Sequence, residues 1–195
     1  DKDDVLQSSS AKPDMDILLL NGVGTEGALR ILNMSEEKIK ERFIPSFFQG
    51  LSKCREELIV IEPIQMAIEA GAIAIHQLGE GGILASLWEL GEAAGVGLEL
   101  DLKKMIIRQD VIEICEFSGV NPYQLSATGS VLIVAEDGDL LKEKLEEKGY
   151  LCEVIGKTTG RNERVIFNGE EKRYLDRPTQ GELQKLYENK GELHA

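Results

Sequence analysis

The chain has 195 residues, 22 of them basic and 35 acidic, for a formal net charge of −13. That length suits one domain with or without a tail, and a 42% hydrophobic content supports a sizeable core rather than wholesale disorder. The acidic balance argues against nucleic acid and anionic membranes as partners, and no uncharged apolar run nears the ~18 residues that span a bilayer.

The chain opens on Asp1-Lys2-Asp3-Asp4, with neither an initiating Met nor a secretory leader. It is therefore expected to be a piece of a longer, cytoplasmic protein. Residues 1–16 are polar, with a serine run at Ser8-Ser9-Ser10 and then Pro13-Asp14, and predict a linker or disordered arm. Ile17-Leu18-Leu19-Leu20 predicts a buried strand that stops at Asn21-Gly22. A helix follows over Gly27 to Leu32. Ser35 with Glu36 and Glu37 starts another, carrying Ile39, Phe43, Phe47 and Leu51 at helical spacing but interrupted at Pro45.

Pro63 to Ala74 and Ile83 to Ala94 are expected helices, separated by the break at Gly79 to Gly82. Val96, Leu98, Leu100 and Leu102 alternate as in a half-buried strand. Arg108 to Phe117 predicts a helix closed by Gly119 and Asn121-Pro122. Val131 to Ala135 predicts a strand, Leu140 to Lys148 a helix, and Leu151 to Ile155 and Arg164 to Phe167 two more strands. Asn168-Gly169 is a hairpin turn into Lys172 to Leu175, and Gly181 to Asn189 suits a final helix. The order is not a strict βα alternation. It points to an α+β domain over 17–178 with a mixed or antiparallel sheet, followed by a helix or tail over 179–195.

Cys54, Cys115 and Cys152 form no CxxC or zinc spacing and are expected as reduced, buried thiols. The two histidines, His76 and His194, cannot build a metal site by themselves, so no metal is expected. Gly22-Val23-Gly24-Thr25-Glu26-Gly27 is a formal GxGxxG between a strand and a helix. A dinucleotide site would also need a second strand ending in an acid, and Phe43 to Leu51 offers none. A tight packing turn or another kind of anion site remains. The second glycine cluster runs from His76 to Ile83, where His76 could move a proton or serve structure alone. The third, Ser126-Ala127-Thr128-Gly129-Ser130, enters a strand, and its hydroxyls could line a pocket or only shape a turn. No nucleophile stands beside a base.

The order of these features resembles the C-terminal domain of the AIR synthase superfamily, over roughly residues 13 to 178. The nearest likeness is to its hydrogenase-maturation (HypE-like) branch and to AIR synthase-related proteins of unassigned role. The matching series is a strand, GxGxxGxxxIL, a His-containing turn with GGI, GVGLELD, CEFSGVNP, and a glycine followed by VLIVAE. Members of the branch usually carry His- or Arg-Asp-Pro-Thr-Arg-Gly-Gly where this chain has His76-Gln77-Leu78-Gly79-Glu80-Gly81-Gly82. At the third loop their Asn-Glu-Gly is replaced by Ala127-Thr128-Gly129. Their terminal cysteine has no counterpart in Gly191-Glu192-Leu193-His194-Ala195, and with the other departures the hydrogenase-maturation reaction itself is not expected.

The resemblance implies an AIR-synthase (PurM-like) C-terminal fold whose partner is an N-terminal nucleotide-binding half of the same protein, in a homodimer. ATP and Mg²⁺ are implied for the full-length protein, and no cofactor for this chain alone. The implied anion or phosphate contacts are Gly22, Gly24, Thr25 and Gly27, then Gly81 and Gly82, then Thr128 and Gly129, with His76 the candidate catalytic group. Two further readings stay open: a non-catalytic binding or regulatory module that keeps the fold, and a dinucleotide-binding oxidoreductase. Glu26 and Glu80 stand inside loops meant for an anion and weigh against inherited activity.

Overall fold

Ile17 to Leu20 is an unbroken apolar run because the strand it forms is covered on both faces. The computed structural model describes residues 7–178 together with Glu182, Gln184 and Lys185. Its strands are β1 (Asp16–Leu20), β2 (Ala74–Gln77), β3 (Gly97–Asp101), β4 (Val131–Ala135), β5 (Cys152–Thr159), β6 (Arg164–Asn168) and β7 (Glu171–Tyr174). They build one 7-stranded sheet in the order β2-β4-β1-β5-β3-β6-β7. Every neighbouring pair is antiparallel except β3 with β6. The architecture is the expected α+β with a mixed sheet.

The helices are α1 (Thr25–Met34), α2 (Glu36–Arg42), α3 (Pro45–Lys53), α4 (Ile61–Glu69), α5 (Gly82–Ala94), α6 (Gln109–Ser118) and α7 (Gly138–Glu146). Strand alternation divides the core. Ile17, Leu19, Leu132 and Val134 face Ile83, Leu87 and Leu90 of α5. Leu18, Leu20, Val131 and Ile133 face the other way, onto Ala67 of α4 and Leu141 and Leu145 of α7. A third cluster joins α1, α2, α3 and α6 through Leu29, Ile39, Leu51, Val111 and Ile114. Pro45 does not kink one long helix. It starts α3, in the first turn where its missing N–H costs nothing, and Phe43 stacks on Phe47 across the break at 4.3 Å.

Three expectations need correction. Helix α4 ends at Glu69, short of the expected Ala74, where edge strand β2 instead begins after the turn at Gly71, φ 102. Thus His76 lies on a strand, not in a turn between helices. Residues 7–16 are not a loose arm: Ser8–Ser10 form a 3-10 turn, and Ala11 and Met15 are buried against the α5 face. Thr158, wholly buried, receives the Met15 N–H at 2.9 Å and anchors this segment, which polar composition alone hides. Of the helix expected over 181–189, Glu182, Gln184 and Lys185 are helical, and its other residues, like His194, lie outside the described residues. Among the described residues, no helix is long and apolar enough to cross a membrane.

Candidate functional site

Strand pairing gathers the three glycine loops. Leu20, the last residue of β1, pairs with Val131, the first of β4, and Gln77, the last of β2, pairs with Val131 from the other side. The loop leaving β1, the loop leaving β2 and the loop entering β4 therefore emerge at one end of the sheet. The dinucleotide reading fails on the same pairing, because β1 is antiparallel to both neighbours and no parallel βαβ unit surrounds the GxGxxG.

Hydrogen bonds fasten the loops together. Asn21, at φ 66, donates through Nδ2 to the Glu57 carbonyl at 2.7 Å and to the Gly129 carbonyl at 2.8 Å. Ser130 Oγ donates to the Gly22 carbonyl at 2.8 Å, and the Gly27 N–H to the Ser126 carbonyl at 3.0 Å. The second loop joins through the Leu78 N–H to the Ser130 carbonyl at 3.0 Å and the Ala127 N–H to the Gly79 carbonyl at 3.3 Å.

The glycines serve this packing. A side chain on Gly27 would sit 2.9 Å from the Ser126 carbonyl oxygen, and one on Gly82 would meet the carbonyls of Tyr123 and Leu125 at 2.6 and 2.7 Å. Gly22, Gly24, Thr25 and Gly27 are all buried, whereas Gly81 is half-buried and Thr128 exposed.

Charge at the loop mouth is settled within the chain. Glu26, in the first turn of α1, accepts from Ser126 Oγ at 2.5 Å and pairs with Arg30. Arg30 also reaches Glu80 on the second loop at 3.0 Å. A second arginine over the first loop, Arg108, is held by Asp110 at 3.1 Å and Glu57 at 3.2 Å. Donors that would suit a phosphate at this helix start thus already hold carboxylates. Arg30 did not stand out in the sequence, and Ser126 did so only as one hydroxyl of the third loop, since each gains its partner through the fold.

A profile described as "AIR synthase related protein, C-terminal domain" matches residues 12–168. The chain belongs to this family. Among curated relatives it is similar to a phosphoribosylformylglycinamidine synthase subunit PurL of Corynebacterium aurimucosum, 37% identical over 93 residues, which cover 48% of this chain and 11% of that protein. It is also similar to carbamoyl dehydratase HypE of Rhodobacter capsulatus, 24% identical over 124 residues, covering 64% of this chain and 34% of the relative. The chain thus spans about a third or less of the length of these two relatives. Two solved structures share the fold at 17% identity. E. coli HypE gives a TM-score of 0.73, with 90% of this chain and 53% of that one covered. A HypE solved in complex with ATP gives 0.62, with 91% and 55% covered.

In this AIR synthase-related domain His76 does not join the loop cluster. Strand alternation turns it to the α5 face, where Nδ1 lies 2.8 Å from Ser8 Oγ and Nε2 3.2 Å from Glu89. All three cysteines are free and buried. Burial, with Glu182 nearby, pushes the Cys115 thiol up to about 12, and burial with Glu146 does the same to Cys152. Burial also raises Cys54. The native protein is therefore expected to show no fast thiol titration with a disulfide reagent at pH 8, and all three thiols should react once it is unfolded. Between the ordinary thiol range near pH 9 and about 12, the unfolded state binds fewer protons than the native one. Stability should accordingly fall as pH rises above 9, read as a falling urea midpoint.

Among the described residues, no group of three His, Cys, Asp or Glu side chains could hold a metal ion. The buried first loop and its resident Glu26 carboxylate do not fit a nucleotide phosphate bound by this chain alone.

Proposed function

We propose that this domain is the C-terminal part of a cytoplasmic AIR synthase-related enzyme that uses ATP on a small substrate, with a divergent site. The observation that carries this reading is the convergence of all three glycine loops at one end of the sheet, fixed by the pairing of Leu20 and Gln77 with Val131. The ATP-bound HypE supports the nucleotide part of the reading. ATP and Mg²⁺ would be held chiefly by an N-terminal half of the same protein, within a homodimer. This chain would close that site with the half-buried Gly81 and the exposed Thr128, with the buried Gly82 setting the turn behind them. Calorimetric titration of the full-length protein with ATP and Mg²⁺, followed by a phosphate-release assay, tests it. Absence of both binding and turnover would falsify the enzyme reading.

A second reading, a binding or regulatory module that keeps the fold, is favoured by one observation. Glu26 holds Ser126 and shares Arg30 with Glu80, so the donors suited to an anionic ligand are already engaged. The variant Glu26→Gln tests this second reading. If the loop is a closed relic of an anion site, removing the charge should strengthen inorganic phosphate binding by roughly tenfold, the equivalent of one partly screened charge interaction of ~1.4 kcal/mol. Unchanged phosphate affinity in that variant would leave the loops a purely structural role.

A further inference from the structure

A cavity of about 510 Å³ lies between the start of α5, the turn at Pro122–Gln124, and the end of β7 with the residues that follow it to Pro178. Its size falls within the range of small-molecule sites. Leu84, Leu102, Ile166 and Leu175 give it an apolar floor, and Tyr123 and Tyr174 add flat aromatic walls. Only Gly81 is shared with the loop cluster. Gly22, Gly24, Thr25 and Gly27 do not line it, so the ligand contacts argued below use none of the first-loop residues.

The charges of the lining are unequal. The lining carries Arg173, Asp176 and Arg177, and the cation it leaves for a ligand is Arg177. Arg173 is partly committed to Glu171 at 2.8 Å, while Arg177 makes no ion pair among the described residues. Glu182, beside the Asn121 rim, is paired with Lys185 at 2.6 Å and accepts the Asn121 N–H at 3.5 Å. The first turn of α5 carries no acidic residue to offset the positive end of its dipole. The Tyr123 hydroxyl has no partner among the described residues, and burial raises its pKa, so it remains a donor at neutral pH.

We propose that this cavity binds a small organic monocarboxylate with a flat apolar body. The carboxylate matches the planar fork of Arg177, and the body matches the floor between the two tyrosines. A phosphate carries up to two charges and would meet Asp176 with Arg177 as the one unpaired arginine to receive it, so the lining favours a monoanion.

Trp88, the single tryptophan of the chain, shares a neighbouring depression with Glu89, Glu92, Arg177 and Pro178, which makes it the fluorophore beside this wall. The intact chain would be titrated with 3-phenylpropionate, with Trp88 fluorescence and calorimetry as readouts. Phenyl phosphate and phenethylamine supply the same ring on a dianion and on a cation. The expected result is saturable 3-phenylpropionate binding, weakened at least tenfold by Arg177→Gln and partly restored by Arg177→Lys. Arg177 is exposed, so its replacement should leave the fold intact, which far-ultraviolet circular dichroism would check. No saturation, equal binding by Arg177→Gln, or tighter binding of either control ligand would overturn the proposal. A failure of ATP binding by the full-length protein would leave this titration unmoved.

Discussion

Gly82→Ala is expected to lose about 3 kcal/mol of stability, read as a lower urea midpoint with an unchanged slope. Gly82 sits at φ 69 at the start of α5, a backbone conformation that costs an alanine about 1 kcal/mol or more. The added methyl would also lie 2.6 Å from the Tyr123 carbonyl oxygen and 2.7 Å from that of Leu125. These are backbone atoms, and neither can rotate away. Relief would require moving α5 off the Pro122–Gln124 turn, which would disturb Gly81 and the wall of the neighbouring cavity together. A variant as stable as the parent would show that the turn yields freely and that α5 is not tightly seated on it.

Asn21→Ala should cost about 2–3 kcal/mol and loosen the joint between the first and third glycine loops. The buried Asn21 donates its amide to two carbonyls, those of Glu57 and Gly129, and losing two such hydrogen bonds costs about 1–3 kcal/mol together. Alanine also tolerates φ 66 poorly, whereas asparagine and glycine accept it. The companion Asn21→Gly separates the two effects, since it keeps the backbone conformation and loses only the hydrogen bonds. The glycine variant should fall between the parent and alanine in chemical denaturation. Amide exchange in Ser126 to Ser130 should quicken in both variants, because Gly129 loses its tether either way. Equal stability of all three proteins would show that the loops are held by packing alone.

The sequence disclosed those elements whose local pattern and tertiary setting agree. Ile17 to Leu20 was legible as a strand because a central strand covered on both faces needs an unbroken apolar run. β2 was not, because Ala72, Ile73, Ala74 and Ile75 continue the small apolar character of α4, and only the backbone at Gly71 separates the two. The packed segment before β1 escaped notice for the opposite reason. Its serines read as solvent-loving, yet Thr158 and His76 receive the segment from distant parts of the chain.

The glycine loops were visible one at a time. Their meeting depends on β4 standing between β1 and β2, which no local pattern encodes. Ordered motifs supplied that information indirectly, by resemblance to a family whose fold this chain shares. The proximity of Glu26 to Ser126 and of Arg30 to Glu80 is likewise a product of the sheet order. The acid seen as an obstacle to an anion proved to be an occupant, already seated among the donors.

The one parallel pair of the sheet also bears on how the chain reaches its native state. Leu98 of β3 must find Arg164 of β6, with α6, β4, α7 and β5 strung between them. Closing so long a loop before any contact rewards it is entropically costly, and such pairings slow folding. β3 is itself held to the central strands by pairing with β5, so it offers β6 a template only after they have assembled. The β6–β7 hairpin is thus placed to dock last. During synthesis, β3 would remain an open sheet edge until nearly the whole domain has been made, and that interval is its greatest exposure to wrong partners.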